Sequence, residues 1–261
     1  MYAPKYTLNW SRQRPTSSSY IKLIYSVASL HTKTVNIWTH VLSTMIFTAS
    51  TIKFASMCRA PPTRETFAIF LYLVAGAFCF FCSTLYHIFS DHIAARSWQY
   101  VDHLGIVIWI WATSTSFIVF SFRHKKSRRR LHMYMISVAS ALSTASLTKL
   151  QHGGSETQFI RSALHVTFRA LSTLPALDYW YFCFCKPRKL EVLWPFLILV
   201  IINSIGGGIY ATKSLDNSVG KWLGLPDISH NIMHIMAIIG GRIFQKGLIS
   251  VHNQRLKEQI A

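Results

Sequence analysis

Two histidines in Ser229-His230-Asn231-Ile232-Met233-His234 stand four residues apart, which on a helix puts both imidazoles on one face, a turn apart. Ser83 and His87 repeat that spacing earlier in the chain, and Asp102 follows after a short polar stretch. Three imidazoles and a carboxylate are the composition of a zinc site. A neutral imidazole nitrogen binds zinc at about 2.0–2.1 Å, and three such ligands leave a fourth position for water, whose pKa the metal lowers toward about 7. Asp102 would then coordinate directly, or hold that water and take its proton as general base. Ser83 could hydrogen-bond to Asp102, to the water or to a substrate carbonyl. The bland reading is a set of polar residues at an interface. Against it stands the rarity of ionisable groups in apolar segments, which makes four of them at one level a functional signal. No HExxH motif is present, so a site of the soluble-protease kind is excluded.

These residues are positioned by apolar stretches of the length that crosses a bilayer, roughly 20 residues. Seven are legible: Val35–Met57, Phe67–Phe89, Trp98–Phe122, Leu131–Leu150, Phe159–Cys185, Val192–Ala211 and Ser229–Ser250. The fourth is rich in Ser and Thr, and the fifth is interrupted by Arg169, Pro175 and Asp178, which must face the bundle interior or an interface. The expected fold is an all-α integral membrane domain over residues 35–251, a seven-transmembrane helix bundle with a zinc site near one membrane face. A polar, basic segment (1–34) precedes it and a short tail (252–261) follows. In an up-and-down bundle even-numbered helices end where odd-numbered ones begin, so Ser83, His87, Asp102, His230 and His234 share one level. Asn36 and His40 open the first segment at that level, on one helical face. They read either as a wet helix end beside the interfacial Trp38 or as groups that hydrogen-bond the site without touching the metal.

Composition agrees with a membrane protein. The chain has 261 residues, 51% hydrophobic, with a net charge of +18 carried between apolar segments rather than on a folded platform. Membrane lipid headgroups, not nucleic acid, are therefore the expected partner, most densely at Arg123–Arg130. Cys79-x-x-Cys82 lies at lipid depth without a second such pair and reads as packing. The histidines at 31, 92, 103, 124, 132, 152 and 252 are expected to find no converging ligands, and His165, near Arg169, to line a polar pocket. Gly206-Gly207-Gly208 reads as a close-packing or flexible point, and the aromatic-rich segments as facing lipid. The polar start of the chain predicts no signal peptide. Basic residues are denser on the side opposite the amino terminus, which by charge alone favours an external amino terminus.

Taken together, Asn36-x3-His40, Ser83-x3-His87 followed by Asp102-His103-Leu104-Gly105-Ile106, and His230-x3-His234 resemble the three signature motifs of the progestin and adipoQ receptor family, which includes the hemolysin III-related proteins. The resemblance runs from about Tyr20 to the end and is strongest to the eukaryotic, fungal-type branch. It implies a seven-helix receptor-like fold with Zn2+ held by His87, His230 and His234 toward the cytosol. Asp102 would hold the metal's water, with Ser83 beside it, and the amino terminus would be cytosolic. It implies hydrolysis of lipid amides such as ceramide, roles in signalling and in lipid and zinc homeostasis, and possible extracellular protein or steroid ligands, in the plasma membrane or an endomembrane. The alternative within the same resemblance is a receptor whose zinc is purely structural. One departure concerns the first motif, where an acidic residue usual three positions before the Asn is Lys33. It lies outside the implied ligand set.

Overall fold

A computed structural model describes residues 13–58, 61–150, 157–183, 190–225 and 227–260. Within them the architecture is all helical. A short α1 (Tyr20–Ser26) leads into α2 (Thr34–Met57), α3 (Arg64–Phe89), α4 (Ala95–Ser121), α5 (Lys126–Leu150), α6 (Thr157–Cys183) and α7 (Leu193–Thr212). A π-helical turn (Asp216–Gly220) and the one-turn α8 (Lys221–Leu223) connect to α9 (Ile228–Ile260). Each of the seven apolar stretches coincides with a long helix. Cys185, the last residue of the fifth stretch, and His152 lie outside the described residues.

Four of the helices, α3, α4, α7 and α9, are long and apolar enough in composition to cross a membrane. The remaining long helices carry more hydroxyl and charged groups, and they mute many of them locally. In α2, Ser43, Thr44, Ser50 and Thr51 each donate to the carbonyl four residues back, at 2.6–2.9 Å. Such back-bonding satisfies a hydroxyl without a partner helix. In α6, Asp178 forms an ion pair with Arg128 and a hydrogen bond with His132 Nε2, 2.8 Å away on α5.

The beginning of α3 is fixed by a capping box. Thr63 Oγ1 accepts from the Thr66 amide at 3.1 Å, and Thr66 Oγ1 accepts from the Thr63 amide at 3.2 Å. Glu65 adds a negative charge in the first turn, where the helix dipole favours one. From there α3 packs most extensively on α4 and α2, while α7 packs along α9. Close approach of α4 to α3 depends on Gly105, where a Cβ would lie 3.1 Å from the Cα of Cys79. Gly206 plays the same part between α7 and α9, against Met233 and Met236. Gly207 and Gly208 meet no neighbour, so close packing falls on one glycine of the three.

The centre of the bundle is aromatic. Phe47, Tyr72, Phe80 and Trp109 lie with ring centroids 5.0–6.3 Å apart, and Tyr72 donates its hydroxyl to the Gly241 carbonyl at 2.7 Å. The expectation that aromatics face lipid therefore holds only for some, such as Phe67, Phe81 and Trp194. Lipid is as apolar as any side chain, so helix association in a membrane rests on such packing and on interhelical hydrogen bonds. Cys79 and Cys82 are buried free thiols within this packing.

Two polar stretches, around Arg14 and beyond residue 251, are held in the fold. Arg14 donates to Asp91 Oδ2 at 2.8 Å, to the His87 carbonyl at 2.9 Å and to Ser90 Oγ at 3.2 Å, which ties the amino-terminal segment under α3. At the other end α9 has 33 residues, about 50 Å of rise, and continues through residues read in the sequence as a tail.

Candidate metal centre

All the residues singled out in the sequence lie at one end of the bundle. Asn36 and His40 come from the start of α2, Ser83 and His87 from the end of α3, Asp102 from the first turns of α4, and His230 and His234 from the start of α9. The imidazoles form one cluster. His40 and His234 have ring centroids 4.2 Å apart, His230 and His234 4.4 Å, His40 and His87 5.2 Å, and His87 and His230 5.5 Å. The tightest group able to share an ion is His40, His87 and His234, whose ligand atoms lie within 4.8 Å of one another. His87 and His234 are thus common to that group and to the set implied by resemblance, while His40 stands where the sequence placed His230.

Hydrogen bonding separates the four rings. His230 Nδ1 lies 3.1 Å from Asp227 Oδ2, and Lys33 Nζ reaches the same oxygen at 3.6 Å. His40 Nε2 is 3.2 Å from Ser83 Oγ. Asp102 lies within interaction reach of both Ser83 and His230. In contrast, both nitrogens of His87, Nδ1 of His40 and Nε2 of His234 are buried without a hydrogen-bond partner, as are both polar atoms of Asn36. A buried polar atom left unpaired costs on the order of 1–3 kcal/mol. Lone pairs concentrated on converging neutral rings are what a zinc ion requires, and hard oxygen-seeking cations would not select them. The donor set therefore fits zinc.

Residues 28–245 match the family model described as Haemolysin-III related, a span that covers α2 through most of α9 and every residue of the cluster. The chain belongs to the haemolysin-III related family. It is similar to heptahelical transmembrane protein 1 of Arabidopsis thaliana, 20% identical over 90% of this chain and 73% of that protein. It is also similar to progestin and adipoQ receptor-like protein 1 of Caenorhabditis elegans, 24% identical over 94% of this chain and 58% of the relative. The adiponectin receptor protein of Drosophila melanogaster is 22% identical over 90% of this chain and 54% of its own length. The chain thus spans little more than half of the last two. As a haemolysin-III related protein with apolar spanning helices it is an integral membrane protein, and the sequence resemblance pointed to the right family.

Two contributors to this end of the bundle were not singled out by sequence reasoning. Asp227, three residues before His230, had the spacing that could have found it. Arg14 hydrogen-bonds the carbonyl of His87 from across the chain and carried no local signal. Tyr210 also lays its ring 4.9 Å from His230. One expectation is corrected. His103, read as having no converging partner, meets His165 with Nδ1 and Nε2 2.8 Å apart, because α4 and α6 pack together.

Proposed function

We propose that this protein is a zinc-dependent intramembrane hydrolase of a lipid amide of the ceramide type, linked to signalling and to lipid and zinc homeostasis. The observation that carries the reading is the convergence of unpaired buried imidazole nitrogens with Asp102 and Ser83 at one membrane face. His87, His230 and His234 are the proposed holders. A metal-bound histidine usually gives its other N–H to a carboxylate, and the Asp227–His230 contact has that form. Zinc, when bound, supplies the Lewis acidity that polarises a carbonyl and acidifies a water. Asp102 takes a proton from the attacking water and returns it to the amide nitrogen as the C–N bond breaks, so that amide and water become a fatty acid and an amine. Ser83 keeps His40 and Asp102 in register. Membrane lipids supply the substrate, from within the plasma membrane or an endomembrane.

A second reading has one observation behind it. Four imidazoles could close the coordination sphere, which would make the zinc a brace for α2, α3 and α9 in a receptor for an extracellular protein or steroid ligand. Asp102→Asn separates the two, since it keeps the shape and removes the base. The hydrolase reading expects zinc to remain while fatty acid release from ceramide falls by about 10²–10⁴-fold. Release within a few-fold of the unaltered chain would favour the structural zinc.

A further inference from the structure

At the opposite end of the bundle from the histidines, the ends of α3, α4 and α9 enclose a cavity of about 250 Å³ between Arg64, Arg123, Arg129 and Arg255. Glu65 is the single carboxylate in its wall, and it is buried. Arg255 Nη1 holds Glu65 at 2.6 Å, Arg123 Nε lies 3.9 Å from the same oxygen, and His252 Nδ1 is 3.8 Å from the other. Arg129 donates to the Arg123 backbone carbonyl at 3.0 Å, which holds the Arg129 guanidinium at the rim. One carboxylate therefore faces four guanidiniums, leaving an excess of positive charge in a partly enclosed space. Guanidinium forks match phosphate oxygens in shape and charge.

The level of the cavity says where such a phosphate would come from. Glu65 and His87 are separated by most of the 26-residue α3, about 33 Å of rise, so the arginines sit at the far membrane interface. Beside the first cavity, and sharing Thr63, His252 and Leu256 with it, is a second of about 480 Å³, with mainly apolar surface at Phe54, Met57 and Ile249 and with Lys53 and Arg242 also on its wall. A charged chamber opening beside an apolar one at headgroup depth suits an amphiphile.

We propose that this paired cavity binds an anionic phospholipid, with a phosphomonoester headgroup among Arg64, Arg123, Arg129 and Arg255 and its chain along the apolar chamber. Glu65 presents Arg255 to the phosphate and offsets part of the cost of gathering like charges. Arg255 and His252 lie beyond residue 245, where the family match ends, while Arg64, Glu65, Arg123 and Arg129 lie within it. It stands apart from the histidine cluster and does not depend on the hydrolase reading.

The test uses the full chain purified in detergent, with its thermal unfolding followed during titration with short-chain phosphatidic acid, phosphatidylcholine of the same chains, or inorganic phosphate. Phosphatidic acid is expected to raise the unfolding temperature at concentrations where the other two do not. Arg64→Gln with Arg123→Gln is expected to weaken that response by about tenfold or more, with zinc content unchanged. Should the double variant not be recovered, Arg64→Gln alone, at an exposed helix start, is expected to weaken it in the same direction. Equal stabilisation by phosphatidylcholine would mean ordinary lipid solvation, and equal stabilisation by inorganic phosphate a free-anion site. Either result overturns the proposal, as does an unaltered response in the variants.

Discussion

At the scale of single residues, the histidine cluster turns on which ring completes the metal set. If Asp227 fixes the tautomer of His230, then His230→Ala should strip most of the zinc. His40→Ala should retain most of it, because His40 serves Ser83. Elemental analysis of the two purified variants checks this, and the reverse pattern would install the tighter His40, His87, His234 group as the ligands. Lys33 belongs to the same argument. An acid at a helix start is ordinarily favourable by about 0.3–1 kcal/mol, so sequence alone makes Lys33→Glu a modest gain in stability. The structure reverses the sign, because a carboxylate there would face Asp227 in place of the ion pair at 3.6 Å. Lys33→Glu is expected to lower the thermal unfolding temperature, and Lys33→Gln, which removes the ion pair without adding a like charge, to lower it less. The hydrogen bond from His230, with Lys33 nearby, holds the Asp227 carboxyl below the usual carboxylate range. A group so depressed adds stability that is present above the ordinary carboxylate pKa and is lost as pH falls through its lowered value.

At the scale of elements, the site exists because helix ends are brought to one level and α4 lies close on α3. Gly105→Ala puts a methyl 3.1 Å from the Cys79 backbone, which cannot swing aside as a side chain could. The expected result is a loss of about 1–3 kcal/mol in stability. Ceramide hydrolysis should fall more than zinc content, since Asp102 moves with α4 while the histidines stay on α3 and α9. The helices were legible from apolar length alone, and helix parity placed Ser83, His87, Asp102, His230 and His234 together. What sequence could not give were contacts between segments far apart in the chain. The Arg14 bonds to the His87 carbonyl and the His103–His165 pair depend on lateral packing order, which hydropathy does not encode. The role of Arg255 was hidden for a different reason. A polar carboxy-terminal stretch reads as a tail unless its continuation as α9 is known.

At the scale of the whole molecule, the bundle is polarised along its length, with the imidazoles clustered at one end and four guanidiniums around Glu65 at the other. Charge counting favours an external amino terminus, whereas the family resemblance implies a cytosolic one. We expect the latter. In a variant without native cysteines, an impermeant thiol reagent on intact cells should label a cysteine placed at Ser127 and not one placed at Ser18. The opposite labelling would put the histidine cluster on the outer side. The central claim is that zinc at this cluster makes the protein a hydrolase, and the most direct test is the rate of fatty acid release from ceramide as a function of bound zinc. Release is expected to vanish when zinc is removed by chelation and to return in proportion to zinc restored. Release that continues at the same rate without zinc, or none with zinc fully bound, would contradict the account.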